Sequence, residues 1–503
     1  MYKKLLVAAT AFYFFLTSLV TVNNYHLLRT NADDIGSIIY KIECSLELDL
    51  ACLFIGHATP VVIPISILFL IFRTPLAFPV LQALLVSCVA LVIFKYASYE
   101  LKSESEAFLA SILFLVNPFV QSASVYEFKT PVASMFFLAL GLYFMYRGRD
   151  RPYFFISLFL LTFQEDVALT TAFMGFSGFI YHYRNTKAKP VYLISGLLAL
   201  VYFLLSLILI KNAGLEKGFI APVFYDRYSA IRHPLSAVSP LGVGYTLLLF
   251  WPLLFIPFLS PVLLIGAIPR FLLNILSRNL MTVNLLLYYH SATILPFCFS
   301  AFIKSLHRFK HRTAVLVICM VINLVLSVWY GPFFLHYFKN ADGNQSAKTF
   351  WQLKGTIEQG STISAQNNLV AYFYLGNKAR KFPCNKESAD YVVLLPRDIY
   401  PPGVRTLAMY NQISMSLDQY KSYIEDVFTD ENYGVWYYKN GILLFKRGFS
   451  RDKNETAYKI FVKDYEHLIR LTRMKMGGGM FSTVEERVGR ANVWEGMCNR
   501  ALM

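Results

Sequence analysis

Thr59-Pro60-Val61-Val62-Ile63-Pro64-Ile65-Ser66-Ile67-Leu68-Phe69-Leu70-Ile71-Phe72 is an apolar run on which the topology of the whole chain turns. It carries no charge, yet it is well short of the ~20 residues an α-helix needs to cross a bilayer core. Pro60 and Pro64 interrupt it and Pro75 follows it, which argues for an interfacial or re-entrant segment. That reading has a consequence elsewhere. With the segment not spanning, the clusters Arg147/Arg149/Arg151, Arg184/Lys187/Lys189 and Lys304/Arg308/Lys310/Arg312 fall on the side of Lys3 and Lys4, as the positive-inside rule requires. With it spanning, every one of those clusters flips outside.

The rest of the chain reads as a polytopic α-helical membrane protein. Of 503 residues, 56% are hydrophobic and only 16% charged, against about 25% charged in ordinary soluble domains. Apolar runs of near-spanning length begin with Leu5 to Val22 and continue with Phe78 to Phe94, Ala107 to Val125, Pro131 to Tyr146, Tyr153 to Phe163, Val167 to Tyr183 and Val191 to Ile210. Two more fit into Pro234 to Pro269 with a turn near Pro257 and Pro261, followed by Tyr288 to Ile303 and Ala314 to Leu335, which makes about eleven spans. The first resembles a signal peptide without a convincing cleavage site and is read as an uncleaved helix. The net charge of +16 is explained by short basic loops between spans; no nucleic-acid-binding motif accompanies it.

Beyond Asn340 the composition turns polar. Thr362 to Ala365 and Tyr391 to Leu395 read as short buried strands. Tyr433 to Lys439 and Ile442 to Lys446 read as a hairpin turning at Asn440-Gly441. The expected organisation is a transmembrane domain over residues 1–339 with a long outer loop at 23–58, a small extracytoplasmic α/β domain at 341–448, and a basic, partly helical tail at 449–503. The N-terminus is then cytoplasmic and the protein sits in the plasma (inner) membrane. Cys88, Cys298 and Cys319 fall in apolar runs and read as packing residues. Cys44 and Cys52 share the outer loop, where a disulfide and two free thiols are both open readings.

The same topology puts every candidate for chemistry on the outer face. Asp33 and Asp34 lie just past the first span, Glu127 follows the third, and Glu165 and Asp166 sit between two spans with almost no loop around them. Carboxylates at that depth are costly and tend to be functional or paired. A carboxylate beside a lipid phosphate can take a proton from an acceptor hydroxyl. It can instead hold a divalent ion, Mg or Mn, that offsets charge on the leaving phosphate; Asp34 and Glu127 are the ligands considered. His57, in Gly56-His57-Ala58-Thr59-Pro60, and His290, in Tyr288-Tyr289-His290, can bond a phosphate or assist proton transfer. Lys129 is a candidate partner for the acids. Arg227, Arg232 and Arg270 are outer cations able to clamp a phosphate.

The ordered set of Asp34-Ile35-Gly36, Gly56-His57-x-x-Pro60, Tyr126-Glu127-Phe128, Gln164-Glu165-Asp166 and Tyr289-His290, with Ser364-Ala365-Gln366 and Ala389-Asp390-Tyr391-Val392-Val393-Leu394 in the outer domain, resembles a family of predicted bacterial and archaeal membrane proteins of unknown function. That family looks like a branch of the GT-C glycosyltransferases. The resemblance covers roughly residues 5–448. Asp33 stands where the family has an aromatic residue, Lys129 where it has a histidine, and Gln164 where it has a lysine. The resemblance implies that Asp34 is the catalytic or metal-binding carboxylate and Glu127 the second acid.

The function expected is transfer of a sugar from a polyprenyl-phosphate donor to a glycan, lipid or protein acceptor at the outer face, by a single inverting displacement. Asp34, Glu127 and Asp33 are the catalytic candidates. Glu165, Asp166, His57, Lys129, Arg270 and His290 are the substrate-binding candidates. Two rivals stand beside it. A transporter or flippase of lipid-linked sugars predicts carboxylates near the midplane and two symmetric halves. A non-catalytic scaffold predicts that the outer domain binds a partner and that the acids are dispensable.

Overall fold

A computed structural model of the chain describes residues 1–185, 189–216, 240–276, 289–333, 343–374, 376–397 and 415–473. Lys187, Arg227, Arg232, Tyr288 and the tail beyond residue 473, with its Gly477-Gly478-Gly479, lie outside the described residues, as do the side chains of Asp33 and Arg184. The chain divides into two compact units. One comprises Met1–Thr21, Cys44–Phe72 and Leu76–Tyr337; the other comprises Val22–Glu43, Arg73–Pro75 and Phe338–Met503.

The first unit is helical. Among the described residues four helices are long and apolar enough to cross a membrane: Tyr2–His26, Ala77–Leu101, Pro190–Gly214 and Arg312–Trp329. Glu104–Leu115 and Pro118–Val125 pass as a fifth if taken together, although they are bent by 54° at their junction. The run expected as the third span is therefore two helices, and the chemistry of the break is local. Pro118 has no N–H to continue the first helix, and Asn117 accepts from the N–H groups of Phe119 and Val120 to start the second. The Asn117 amide donates to Asn323 at 2.8 Å, and Asn323 donates onward to the carbonyl of Pro252 at 2.9 Å. This chain of amides satisfies buried polar groups where the helix ladder is interrupted.

Other runs form shorter apolar helices, Val62–Phe72, Thr130–Tyr146, Gly242–Leu253 and Pro261–Leu276, and the runs expected as the fifth and sixth spans form Asp150–Leu160 and Glu165–Asn185. Val62–Phe72 has 11 residues, a length of about 16 Å that cannot cross a bilayer alone. The run from Pro234 to Pro269 is cut further than expected, because Pro252, Pro257, Pro261 and Pro269 each remove a helix donor and Leu254 and Phe255 adopt left-handed backbone at φ 52° and 56°. The expected tenth span also starts late: its helix is Leu295–Ser305, with Pro296 in its first turn, and His290 lies in turns ahead of it.

Helix Glu165–Asn185 packs closely on helix Pro190–Glu216 through facing glycines. A Cβ on Gly175 would lie 2.7 Å from the Gly196 Cα and from the Tyr192 carbonyl oxygen. Small residues at such a crossing let two backbones touch where lipid offers no hydrophobic drive for association. Val201, Leu204, Leu205 and Ile208 on the second helix are exposed, an apolar stripe suited to lipid.

The second unit carries a five-stranded sheet in the order β2-β1-β3-β5-β4, with β1 Thr362–Ala365, β2 Lys378–Lys381, β3 Tyr391–Leu394, β4 Tyr433–Lys439 and β5 Ile442–Arg447. β1 pairs in parallel with β2 and β3, whereas β5 runs antiparallel to β3 and β4. The β4–β5 turn has positive φ at both Asn440 and Gly441, the combination that matches the twist of a two-residue hairpin. Helices Leu417–Thr429 and Asn454–Arg473 cover the sheet through Tyr420, Ile424, Phe461 and Tyr465. The domain core thus extends past residue 448, and the start of the tail is part of it.

Replacing Gly175 by Val should force the two helices apart and cost about 1–3 kcal/mol, the range for overpacking. Gly244→Ala, whose Cβ would meet nothing within 4 Å, should be neutral. Thermal melts of the detergent-solubilised protein compare the two.

Candidate functional site

A single polar network in the helical unit joins most of the residues singled out in the sequence. It begins at Phe163-Gln164-Glu165, where a helix starts directly after a turn. Glu165 is 2% exposed; its carboxylate accepts from the Ala58 N–H at 3.1 Å and lies 2.6 Å from His57 Nδ1. Burial alone would raise this carboxyl, but the His57 ring and the Ala58 N–H outweigh it and hold Glu165 below the ordinary carboxylate value. The ionised carboxylate accepts, so Nδ1 of His57 carries the proton and Nε2 faces away from it. Gln164 Nε2 lies 3.2 Å from the same Nδ1, and Gln164 Oε1 accepts from Thr130, the neighbour of Lys129.

The adjacent Asp166 is 4% exposed and pairs with Arg270, itself 7% exposed. Arg270 also donates from Nε to the His290 carbonyl at 3.0 Å and from Nη2 to His290 Nδ1 at 2.7 Å. Guanidinium nitrogens only donate, so Nδ1 of His290 is the acceptor, and its proton sits on Nε2 as a directed donor. Asn274 donates to the same His290 carbonyl at 3.0 Å and to the Tyr245 hydroxyl at 2.8 Å. Arg270 therefore holds Asp166 and His290 in register. The other carboxylate oxygen of Asp166, Oδ1, is buried and has no hydrogen-bond partner among the described residues.

The network closes through aromatic rings. The ring of Tyr289 lies 4.4 Å from that of His290 and 5.0 Å from that of Tyr126, and Lys129 Nζ stands 5.3 Å over it. Gln82, fully buried, fixes the segment between Tyr126 and Lys129: its amide donates to the Tyr126 carbonyl at 2.9 Å and accepts from the Lys129 N–H at 2.8 Å. Glu127 sits half-buried in that segment. Gln82, Thr130, Tyr245 and Asn274 escaped the sequence reading. They are uncharged and lie in or beside apolar runs, so only their hydrogen bonds reveal them.

Asp34 belongs to the other unit. It is 7% exposed, in a single turn of π-helix over Ala32–Gly36. The loop leading to it is fastened to the segment just after β1. The Ala32 N–H donates to the Asn367 carbonyl at 2.9 Å, Thr30 to the Asn368 carbonyl at 2.9 Å, Asn368 to the Leu28 carbonyl at 2.9 Å, and Asn367 to the Asn31 side chain at 3.1 Å. Trp351 and Tyr372 donate to the carbonyls of His26 and Tyr25. The acidic loop and the sheet are one piece of structure.

A family model for predicted membrane proteins, DUF2079, matches residues 39–444, and the chain belongs to that family. No curated protein matches it. The apolar helices and the family together make this a multi-pass integral membrane protein.

Arg270→Ala would leave Asp166 buried without its cation, at an expected cost of about 3–5 kcal/mol; Arg270→Lys should fall between, keeping the charge but losing the fork to His290. Glu165→Gln should cost about 1–2 kcal/mol. Because the Glu165 carboxyl is lowered in the fold, its contribution is present at neutral pH and is lost as the pH falls through that lowered value, so the gap between wild type and Glu165→Gln should narrow in acid. Melting temperatures in detergent at neutral and acidic pH check all three.

Proposed function

We propose that this member of the family is a glycosyltransferase of the GT-C type, which moves a sugar from a polyprenyl-phosphate donor to an acceptor on the extracytoplasmic face of the plasma membrane. The observation that carries the reading is the buried Asp166–Arg270–His290 triad beside the Glu165–His57 pair. A membrane protein rarely keeps this many ionisable groups among apolar helices without a polar ligand to bind.

In this reading Asp34 takes the proton from the acceptor hydroxyl as its oxygen attacks the anomeric carbon. The bond from that carbon to the phosphate oxygen breaks, and the electron pair leaves with the polyprenyl phosphate, inverting the centre. The Nε2–H of His290 and the ammonium of Lys129 receive the donor phosphate. Asp166 and Arg270 are positioning residues for His290, and Oδ1 of Asp166 is free to accept from a sugar hydroxyl. Glu127 orients the acceptor. Among the described residues, neither Asp34 nor Glu127 belongs to a group of three or more His, Cys, Asp or Glu side chains with ligand atoms within 4.8 Å of one another, and the role proposed for Asp34 is that of the base.

Two further points support the reading. On the expected order of eleven spans the basic clusters fall on one side under the positive-inside rule, an order that would put the N-terminus in the cytoplasm and the sheet outside. Cys384, in the sheet unit, is disulfide-bonded, as suits an oxidising compartment.

Purified protein in lipid, given a panel of radiolabelled polyprenyl-phosphate sugars, should transfer sugar from at least one of them. Asp34→Asn should lose about 100-fold or more, the scale of a general base. Transfer by Asp34→Asn at the wild-type rate would overturn the assignment. Donor binding without transfer would favour a flippase or a scaffold.

A further inference from the structure

The loop between the helix Ser37–Leu46 and His57 brings two thiols and a carboxylate together. The helix ends at Leu46, and the N–H groups of Glu47 and Asp49 both donate to the Cys44 carbonyl, at 3.1 and 3.0 Å. Leu48 turns through left-handed backbone at φ 65°. The chain then enters a 3-10 turn over Leu50–Phe54, where the Cys52 N–H donates to the Asp49 carbonyl at 3.4 Å. The reversal places Cys44 Sγ, Cys52 Sγ and a carboxylate oxygen of Asp49 all within 4.8 Å of one another. Cys52 is fully buried, and both cysteines are free thiols.

We propose that Cys44, Asp49 and Cys52 form a binding site for one soft divalent metal ion of the zinc class, with its fourth position open to water. Two thiolates and a carboxylate are ligands zinc takes, at about 2.3 Å to sulfur and 2.0–2.2 Å to oxygen, which sets neighbouring ligand atoms about 3.6–3.8 Å apart on a tetrahedron. The cluster reaches that geometry by closing no more than about 1 Å. A disulfide between the two thiols would account for the sulfurs and leave the carboxylate crowded against them; a cation accounts for all three groups. The spacing, a four-residue gap and then a two-residue gap, lies within one turn of chain, so the ion would lock the loop's fold. Five residues after Cys52 the chain delivers His57 to Glu165, so the ion fastens the loop that carries one member of the polar network. The inference stands whether or not the protein transfers sugar.

The test uses the full chain in detergent, purified without chelators. Zinc content should be about one ion per chain and should fall to background in Cys52→Ser and in Asp49→Asn, the second of which leaves both thiols in place. Cd(II) added to chelator-stripped protein should give a thiolate-to-metal charge-transfer band that both variants lack. Bound zinc should protect Cys44 and Cys52 from alkylation until a chelator is added. Isolation of a Cys44–Cys52 disulfide would overturn the proposal. So would a cadmium band and zinc content equal in wild type and Cys52→Ser, or free, alkylatable thiols in protein saturated with zinc.

Discussion

Charge cannot be left uncompensated among apolar helices, and the helical unit is arranged around how it meets that constraint at Asp166. A buried carboxylate loses several kcal/mol of hydration. Arg270 returns it by pairing, and also donates to His290 from Nε and Nη2. Those bonds fix three stretches of chain at once: the start of helix Glu165–Asn185, the helix Ile268–Leu276 and the turns ahead of Leu295–Ser305. Glu165, one residue earlier, draws in the loop at His57 by the same logic. The tautomer of His290 follows from the donor-only chemistry of Arg270.

The sheet unit answers a different constraint. Residues 27–36 include irregular backbone that no sheet or long helix can satisfy, and buried backbone polar groups need partners. The Asn367 carbonyl takes the Ala32 N–H and the Asn368 side chain takes the Leu28 carbonyl, while the Asn367 side chain and the Asn368 carbonyl hold the side chains of Asn31 and Thr30. Two consecutive asparagines after a strand suit this task because each offers amide donors and acceptors on a short stem. Asp34 is thus carried by an element more than three hundred residues away in sequence, and a disturbance of the sheet is a disturbance of the acidic loop.

Much of the helical and strand content was legible beforehand, where the signal is local. The run Phe78 to Phe94 lies inside the helix Ala77–Leu101, and Asn440-Gly441 makes the turn expected of it. β2, with the sequence Lys-Ala-Arg-Lys, was not legible, because an edge strand is held by its backbone and shows no apolar alternation. The bend at Asn117-Pro118 and the proline-cut stretch around Pro252 and Pro257 read as continuous apolar runs, since hydropathy does not register a missing N–H. The acids and histidines of the site stood out as charges in apolar surroundings. Which of them pair did not, because Asp166 meets Arg270 across 104 residues of sequence, a distance that only the fold closes. Gln82 and Asn274 were silent for the same reason.

Direct binding tests most simply whether this network receives a lipid-linked phosphate. Native mass spectrometry of the protein titrated with a short-chain polyprenyl phosphate should show one lipid bound per chain. His290→Ala, which removes the Nε2–H donor, should weaken binding about tenfold, the worth of one hydrogen bond to a charged group. No specific binding, or binding that His290→Ala leaves unchanged, would mean that His290 does not receive the phosphate.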